Sequence, residues 1–300
     1  MLWQKRFGME ISMKMIGVCG GDARNRYLAK LLMKRGYPVC TYDLSLDAGH
    51  SVQEPEEFKK WVREVQVLVG ATPLQRYLLP QCDAKQTKEL FEAIWRKGMY
   101  FFAGGIPAAW RTPAEGAGVR CIDFLQQEEY RTVNAELTAE GTLCEVIARY
   151  PGGIKGTPIL VTGYGSCGRT IAKALHSLGA RVTVCVRRME MAWQAVLDGL
   201  KSCYFEYIKE CLPDFDIIIN TVPECVLGKA EIECIRTSAF LFEIASGVGG
   251  FEQEAIKQSG RQLFFCPGLP GKYAPLRCAQ GMLEIIERIG IGQESRDEVV

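Results

Sequence analysis

The chain has 300 residues and a mass of 33.5 kDa, more than one small core holds, so at roughly 100–200 residues per domain two domains are expected. Hydrophobic residues at 48% and charged residues at 24% fit a globular enzyme and exclude collagen-like, low-complexity and disordered chains. Lys and Arg (36) nearly cancel Asp and Glu (35), so a net charge of +1 offers no basic excess for binding nucleic acid by counterion release. No apolar run approaches the ~18–20 residues of a membrane span. The opening residues lack the continuous apolar stretch of a signal peptide, and the expected compartment is the cytosol. The 13 cysteines are scattered without a CxxC pair, and His50 and His176 are the 2 histidines. That spacing predicts free, mostly buried thiols and no metal site.

In chain order, KMIGVC (14–19) reads as a strand, GGDAR (20–24) as a turn and NRYLAKLLMKRG (25–36) as a helix with apolar residues at helical spacing. PVCTYD (38–43) is a second strand. Residues 45–60, with His50, read as a loop with a short helix. EVQVLVGAT (64–72) is a strand, and residues 83–98 form a helix capped by Asp83. MYFFAGG (99–105) and VRCIDFL (119–125) are strands, and 134–150 is a longer helix. PGGIKG (151–156) breaks the chain, and the domain boundary is placed there.

The alternation then restarts. Strands are expected at 157–163, 180–188, 214–223, 238–246 and 261–271, with helices at 166–179, 190–201, 252–260 and 274–290, and a polar tail. Repeated βα units imply parallel sheets covered on both faces. The expected fold class is α/β, with two doubly wound parallel-sheet domains. Residues 1–150 would form a substrate domain and 151–273 a Rossmann dinucleotide-binding domain. The helix within 274–300 would return to the first domain.

Gly163-Tyr164-Gly165-Ser166-Cys167-Gly168 is a complete GxGxxG between a strand and an amphipathic helix. Gly163 would allow the tight turn, Gly165 the approach of a pyrophosphate, and Gly168 close packing of helix on strand. The pyrophosphate would rest on N–H groups at the helix N-terminus. The following strand ends in Arg187-Arg188 where an NAD site would carry an acid. A guanidinium can grip a 2′-phosphate, so NADP is favoured, with NAD possible. INTVP (219–223) and EIASGVGG (243–250) end two further strands, which places Thr221, Pro223 and Ser246 on the nicotinamide side. In the first half, Asp22 suits an N-cap. Arg24, a cation in a first helical turn, opposes the helix dipole unless it meets an anion.

GGDAR (20–24), NAELTAEGT (134–142), VTGYGSCGRTIA (161–172), INTVP (219–223), IASGVGG (244–250) and PGLPGKYAP (267–275) resemble, in this order, the A-type subunit of dipicolinate synthase. One departure is visible, since the family pattern near 246–250 resembles ASRPGG. The resemblance implies an enzyme of endospore formation in the mother-cell cytoplasm. It would oxidise dihydrodipicolinate, or its hydrated precursor, to pyridine-2,6-dicarboxylate by hydride transfer to NAD(P). The B-type subunit of dipicolinate synthase, similar to flavin-binding decarboxylases, would be its partner, and a homo-oligomer is expected. Holding two carboxylates makes Arg24, Ser246 and Lys272 candidate substrate contacts, and Asn134, Thr138 and Glu140 candidate catalytic residues. Glu140 would be the base. Helix capping is the alternative for Asn134, Thr138 and Glu140, and a solvated charge for Arg24 and Lys272. Two rival functions remain. A 2-hydroxyacid dehydrogenase would need an imidazole acid/base, for which only His50 and His176 exist. A non-catalytic NADP-binding regulatory subunit would leave the chemistry to a flavoprotein.

Overall fold

A computed structural model of the chain describes residues 14–44, 51–52, 55–74, 77–79 and 82–291. It divides into two compact units, Met1–Tyr130 with Pro275–Val300, and Arg131–Ala274.

The first unit runs β1 (Ile16–Cys19), α1 (Ala23–Lys34), β2 (Val39–Tyr42), β3 (Ser51–Val52), α2 (Pro55–Trp61), β4 (Val67–Val69), α3 (Ala84–Glu92), β5 (Tyr100–Ala103), α4 (Ala108–Gly116) and β6 (Arg120–Asp123). Helix α5 (Glu128–Arg149) starts in this unit and continues into the second. There follow β7 (Pro158–Thr162), α6 (Ser166–Ser177), β8 (Arg181–Val186), α7 (Met189–Leu197), β9 (Lys201–Tyr204), α8 (Ile208–Cys211), β10 (Ile217–Asn220), α9 (Lys229–Cys234), β11 (Phe240–Glu243), α10 (Gln253–Ser259), β12 (Leu263–Phe265) and α11 (Leu269–Tyr273). Helix α12 (Pro275–Ile285) belongs to the first unit again.

Among the described residues each unit holds one six-stranded sheet, β3-β2-β1-β4-β5-β6 and β12-β11-β10-β7-β8-β9, with every pairing parallel. Strand order reverses beside the first strand of each unit, between β1 and β4 and between β7 and β10. Ligands of doubly wound sheets bind at that switch point, beyond the strand C-termini. The central strands are continuous apolar runs because both faces are covered. IGVC in β1 and IIIN in β10 are buried throughout. In the first unit, Leu28, Ala29 and Leu32 of α1 pack in one core with Ala279, Met282 and Leu283 of α12. The opposite face is aromatic, with Phe58, Phe91 and Phe101 bordered by Trp61, Trp95 and Trp110. Each such side chain contributes roughly 1.5–3 kcal/mol on full burial.

Several boundaries differ from the sequence expectation. Helix α5 begins at Glu128 rather than 134, and residues 131–150 pack with the second unit rather than the first. Helix α3 stops at Glu92, and Trp95 turns in against Phe101 with ring centroids 4.9 Å apart. Helix α4 was not expected because Pro113 lies inside it, where an amide donor is lost. Helix α7 ends at Leu197, and Lys201–Tyr204 forms an edge strand too polar to be read as one. The strand expected over 261–271 stops at Phe265, and Leu269–Tyr273 is a short helix. His50 and the C-terminal tail lie outside the described residues.

Candidate functional site

The turn between β7 and α6 assigns a separate task to each glycine. Gly163 has φ +86°, a left-handed conformation that few L residues adopt. A Cβ on Gly168 would lie 2.4 Å from the Gly163 carbonyl oxygen, so only glycine lets the helix approach the strand. A Cβ on Gly165 would meet nothing within 4 Å. Gly165 is the N-cap of α6 and provides no side-chain cap, and Gly165 and Ser166 are exposed. The amides of Ser166 and Cys167 are therefore open to an anion in front of a twelve-residue helix. These residues fit a dinucleotide pyrophosphate.

The surroundings brace this turn without filling it. Thr221 donates its hydroxyl to the Thr162 carbonyl at 2.7 Å and stands beside Gly163 and Gly168, so it buttresses the turn. The Tyr164 ring is buried and its hydroxyl donates to Asp198 at 2.7 Å. Arg169 donates to the same carboxylate through Nε at 2.7 Å and Nη2 at 3.0 Å, and Lys173 approaches at 3.4 Å. The Arg169 hydrogen bonds, foremost, hold the Asp198 carboxyl well below the usual range. Burial and the bond to Asp198 push Tyr164 up.

Arg187 follows β8 directly. Its guanidinium lies 5.8 Å from the Phe205 ring centroid, and Nη2 donates to Glu224 at 3.0 Å. Arg188 is exposed at the N-cap of α7, with no partner among the described residues. Pro223 and Ser246 are exposed on the loops after β10 and β11. A buried network anchors those loops. Thr162 donates to Asn220 at 2.6 Å, Asn220 to Glu243 at 2.7 Å, and the Ala245 and Gly250 amides to the Glu243 carboxylate at 3.0 and 2.7 Å. Burial raises Glu243, with the donors acting against it.

Asn134, Thr138 and Glu140 all lie well inside α5, so helix capping is ruled out for them. Thr138 donates to the Asn134 carbonyl at 2.6 Å, one turn back. Burial pushes up the thiol of Cys167 in the first turn of α6, with Thr138 acting against it. Glu140 is exposed. A Cβ on Gly141 would lie 2.7 Å from Leu269 Cβ, so the glycine of TAEGT lets α11 pack closely on α5. Lys272 is not a free charge. Its Nζ lies 2.5 Å from Glu145 Oε1, which also accepts from Tyr273 at 2.7 Å. Burial acts to raise Glu145, but the bonds from Lys272 and Tyr273 and the nearby Arg149 hold it low. Asp198, Glu243 and Glu145 were missed from sequence, because nothing local separates a buried carboxylate from a surface one.

In the first unit, Asp22 caps α1 by accepting from the Arg24 amide at 2.9 Å. It also takes the Arg24 guanidinium at 2.9 Å (Nε) and 2.7 Å (Nη2). Arg24 is 4% exposed and donates in addition to the Thr72 carbonyl. The cation at the helix start is thus balanced by its own N-cap rather than left as a solvated charge. Its Nη1 has no acceptor, and the buried Thr72 hydroxyl no partner, among the described residues.

Among the described residues no cluster of His, Cys, Asp and Glu could hold a metal, and no helix is long and apolar enough to cross a membrane. Residues 15–125 match the N-terminal domain of the A-type subunit of dipicolinate synthase. Residues 153–237 match the NADPH-binding domain of acetohydroxy acid isomeroreductase. The A-type subunit of dipicolinate synthase from Bacillus subtilis is 27% identical over 188 residues, a stretch covering 63% of this chain and 63% of that protein's length. The solved counterpart from Bacillus halodurans superposes with a TM-score of 0.79 at 20% identity, over 92% of this chain and 97% of that one. The Bacillus subtilis structure gives 0.75 at 21% identity, over 92% and 95%. In sequence and in fold, this chain resembles the A-type subunit of dipicolinate synthase.

Proposed function

We propose that the chain is an NADP-dependent oxidoreductase of the dipicolinate synthase type, forming pyridine-2,6-dicarboxylate from dihydrodipicolinate or its hydrated precursor. The observation that carries the cofactor reading is the open, uncapped start of α6 at Gly165, with Arg187 and Arg188 after the next strand. The substrate reading rests on the resemblance. When bound, NADP supplies a hydride acceptor. The chain's own contribution is to bind and orient: the Ser166 and Cys167 amides take the pyrophosphate, and Arg187 and Arg188 take the 2′-phosphate. On the resemblance, the candidates for contact with a substrate carboxylate are Arg24, through Nη1, and, in the second unit, Lys272 and Ser246. On the same resemblance Glu140, exposed on α5, is the candidate base for the proton lost as the ring becomes aromatic, and Asn134 and Thr138 are further catalytic candidates on another face of that helix. The B-type partner, self-association, and a place in the mother cell of a sporulating bacterium follow from the same resemblance.

The 2-hydroxyacid dehydrogenase reading loses support from His176. It is exposed in the last turn of α6, roughly 15 Å along the helix from the phosphate end. The regulatory reading, with chemistry on a flavoprotein, gains from one observation: Thr138, Lys272 and Arg24 are each engaged by a partner of their own unit. An absorbance assay separates it from the catalytic reading. Purified chain receives freshly generated cyclic intermediate and NADP, with and without the flavin-binding partner. NADPH formation by the chain alone is expected; formation only with the partner would move the chemistry to that protein. Replacing both Arg187 and Arg188 by Ala should weaken NADP about 10–100-fold and NAD far less, in line with loss of charged hydrogen bonds. Equal losses would mean that neither arginine reads the 2′-phosphate.

A further inference from the structure

Strands β8 and β10 both pair with β7, so the segments that follow them flank the glycine turn that follows β7. Across that position one contact joins the two flanks. Arg187, the first residue beyond β8, reaches Glu224, four residues beyond β10, at 3.0 Å. The side chains are 58% and 69% exposed, so neither is locked in by packing. Glu224 has no other partner among the described residues, while the guanidinium also lies 5.8 Å from the Phe205 ring centroid. In a doubly wound dinucleotide site, the position just after this second strand recognises the ribose 2′ substituent. The acid usual there is absent from β8, and a carboxylate reaches the same place from the neighbouring loop.

We propose that Glu224 is a specificity-determining residue for the nucleotide: it holds Arg187 when no NADP is bound and competes with the 2′-phosphate for that guanidinium. This rests on the cofactor reading above. NADP must displace the carboxylate from Arg187 and then sit near it, dianion beside anion. NAD, lacking the phosphate, leaves the pair intact. Glu224 thus narrows the preference for NADP that Arg187 and Arg188 would otherwise impose. An exposed pair of this kind is weak, and repulsion of the phosphate adds to it, so the combined effect on NADP is about 3–10-fold.

The test is calorimetric titration of the full chain with NADP and with NAD, for the parent, Glu224→Gln, Arg187→Ala and the double variant. We expect Glu224→Gln to tighten NADP about 3–10-fold and to leave NAD within about twofold. In the Arg187→Ala background that gain should shrink to about twofold or less, because the competition needs the guanidinium. An unchanged NADP affinity in Glu224→Gln, or a gain that persists in full without Arg187, overturns the proposal. A loss of NAD affinity in Glu224→Gln would overturn it too, and would mean that Glu224 binds the ribose hydroxyls instead. A parent chain that binds neither nucleotide would remove the cofactor reading itself, and this inference with it. Unfolding transitions of all four proteins should coincide, since both side chains are exposed.

Discussion

The two units contain the same local device, an apolar strand running through a glycine turn into a helix, and they use it in opposite ways. After β7 the chain leaves the start of the helix uncovered by its own side chains: a Cβ at Gly165 would meet nothing within 4 Å, and α6 has no side-chain cap. After β1 the turn is already occupied. A Cβ on Gly20 would fall 2.0 Å from the Tyr77 ring, and one on Gly21 would fall 2.6 Å from the Asn25 side chain. Asp22 fills the anion position at the start of α1 with its own carboxylate, and Arg24 folds onto it. A glycine-rich turn before a helix is therefore a phosphate site only where the chain withholds its own cap. Where the cap is an acid, the positive end of the helix is already satisfied.

The largest effects should come from the second turn, and they should split. Gly168→Val sets a branched side chain against the Gly163 carbonyl and should cost more than about 3 kcal/mol, enough to lose the folded second unit. Gly165→Val places its bulk in open space. It should leave the melting temperature within about 2 °C of the parent and weaken the dinucleotide more than about 100-fold, because the pyrophosphate can no longer approach. Thermal unfolding and cofactor titration on both variants check the split. A Gly165→Val protein that binds NADP undiminished would remove the phosphate assignment, and a Gly168→Val protein of parental stability would contradict the close packing.

How much of this was legible in the sequence depends on how far apart the partners lie. The fingerprint lies within six residues, and the turn at Gly163 and the close packing at Gly168 were readable from it. The strand and helix alternation was readable because the central strands are continuous apolar runs. Asp198 was not, since it meets Tyr164 and Arg169 only after the chain has passed through β8 and α7. Glu145 was hidden further, because Lys272 lies 127 residues away. Lys272 was noticed as a cation and its counter-ion was not. Thr138 was read as a catalytic candidate or a helix cap; with α5 starting at Glu128 it lies too far in to be a cap and donates back to Asn134. Arg24 was recognised as a cation in need of an anion, but the anion two residues before it was read only as a cap.

Arg24 is also where the first turn can be broken with an intermediate effect. Arg24→Met keeps the aliphatic stem and removes the guanidinium. It strips Asp22 of its cation and the Thr72 carbonyl of its donor, so a stability loss of about 1–3 kcal/mol is expected. If Nη1 also holds a substrate carboxylate, kcat/KM for dipicolinate formation should fall about 100-fold with NADP affinity unchanged. Asp22→Asn is the companion variant. It keeps an N-cap and Arg24, loses the ion pair, and should share the stability loss far more than the kinetic one. Equal kinetic losses in the two variants would make Arg24 a structural group, and the substrate anchor would have to be sought at Lys272 or on a partner.

The smallest effect tests why the second turn can stay open. Asp198 does from outside what Asp22 does from inside: it pairs with cations of the helix, Arg169 near its start and Lys173 a turn further on, without accepting from the amides of Ser166 and Cys167. Its carboxyl is held below the ordinary range, chiefly by the Arg169 hydrogen bonds. A carboxylate whose folded pKa is depressed adds stability that is fully present above the unfolded pKa of about 3.9, and that is lost as pH falls toward the folded value. Asp198→Asn should therefore lower stability by about 1–2 kcal/mol at pH 7, discounted for the partial exposure of Arg169 and Lys173. The gap to the parent should hold from pH 7 to about pH 5, begin to narrow below that, and still be narrowing at pH 3, because the folded carboxyl keeps its charge there. Because the helix amides stay uncovered, cofactor affinity should remain within about threefold of the parent, unlike that of Gly165→Val. Denaturant unfolding at pH 7, 5 and 3 gives the answer. A gap that persists unchanged at pH 3 would mean that shape rather than charge makes Asp198 stabilising, and that the open turn does not depend on a carboxylate placed behind it.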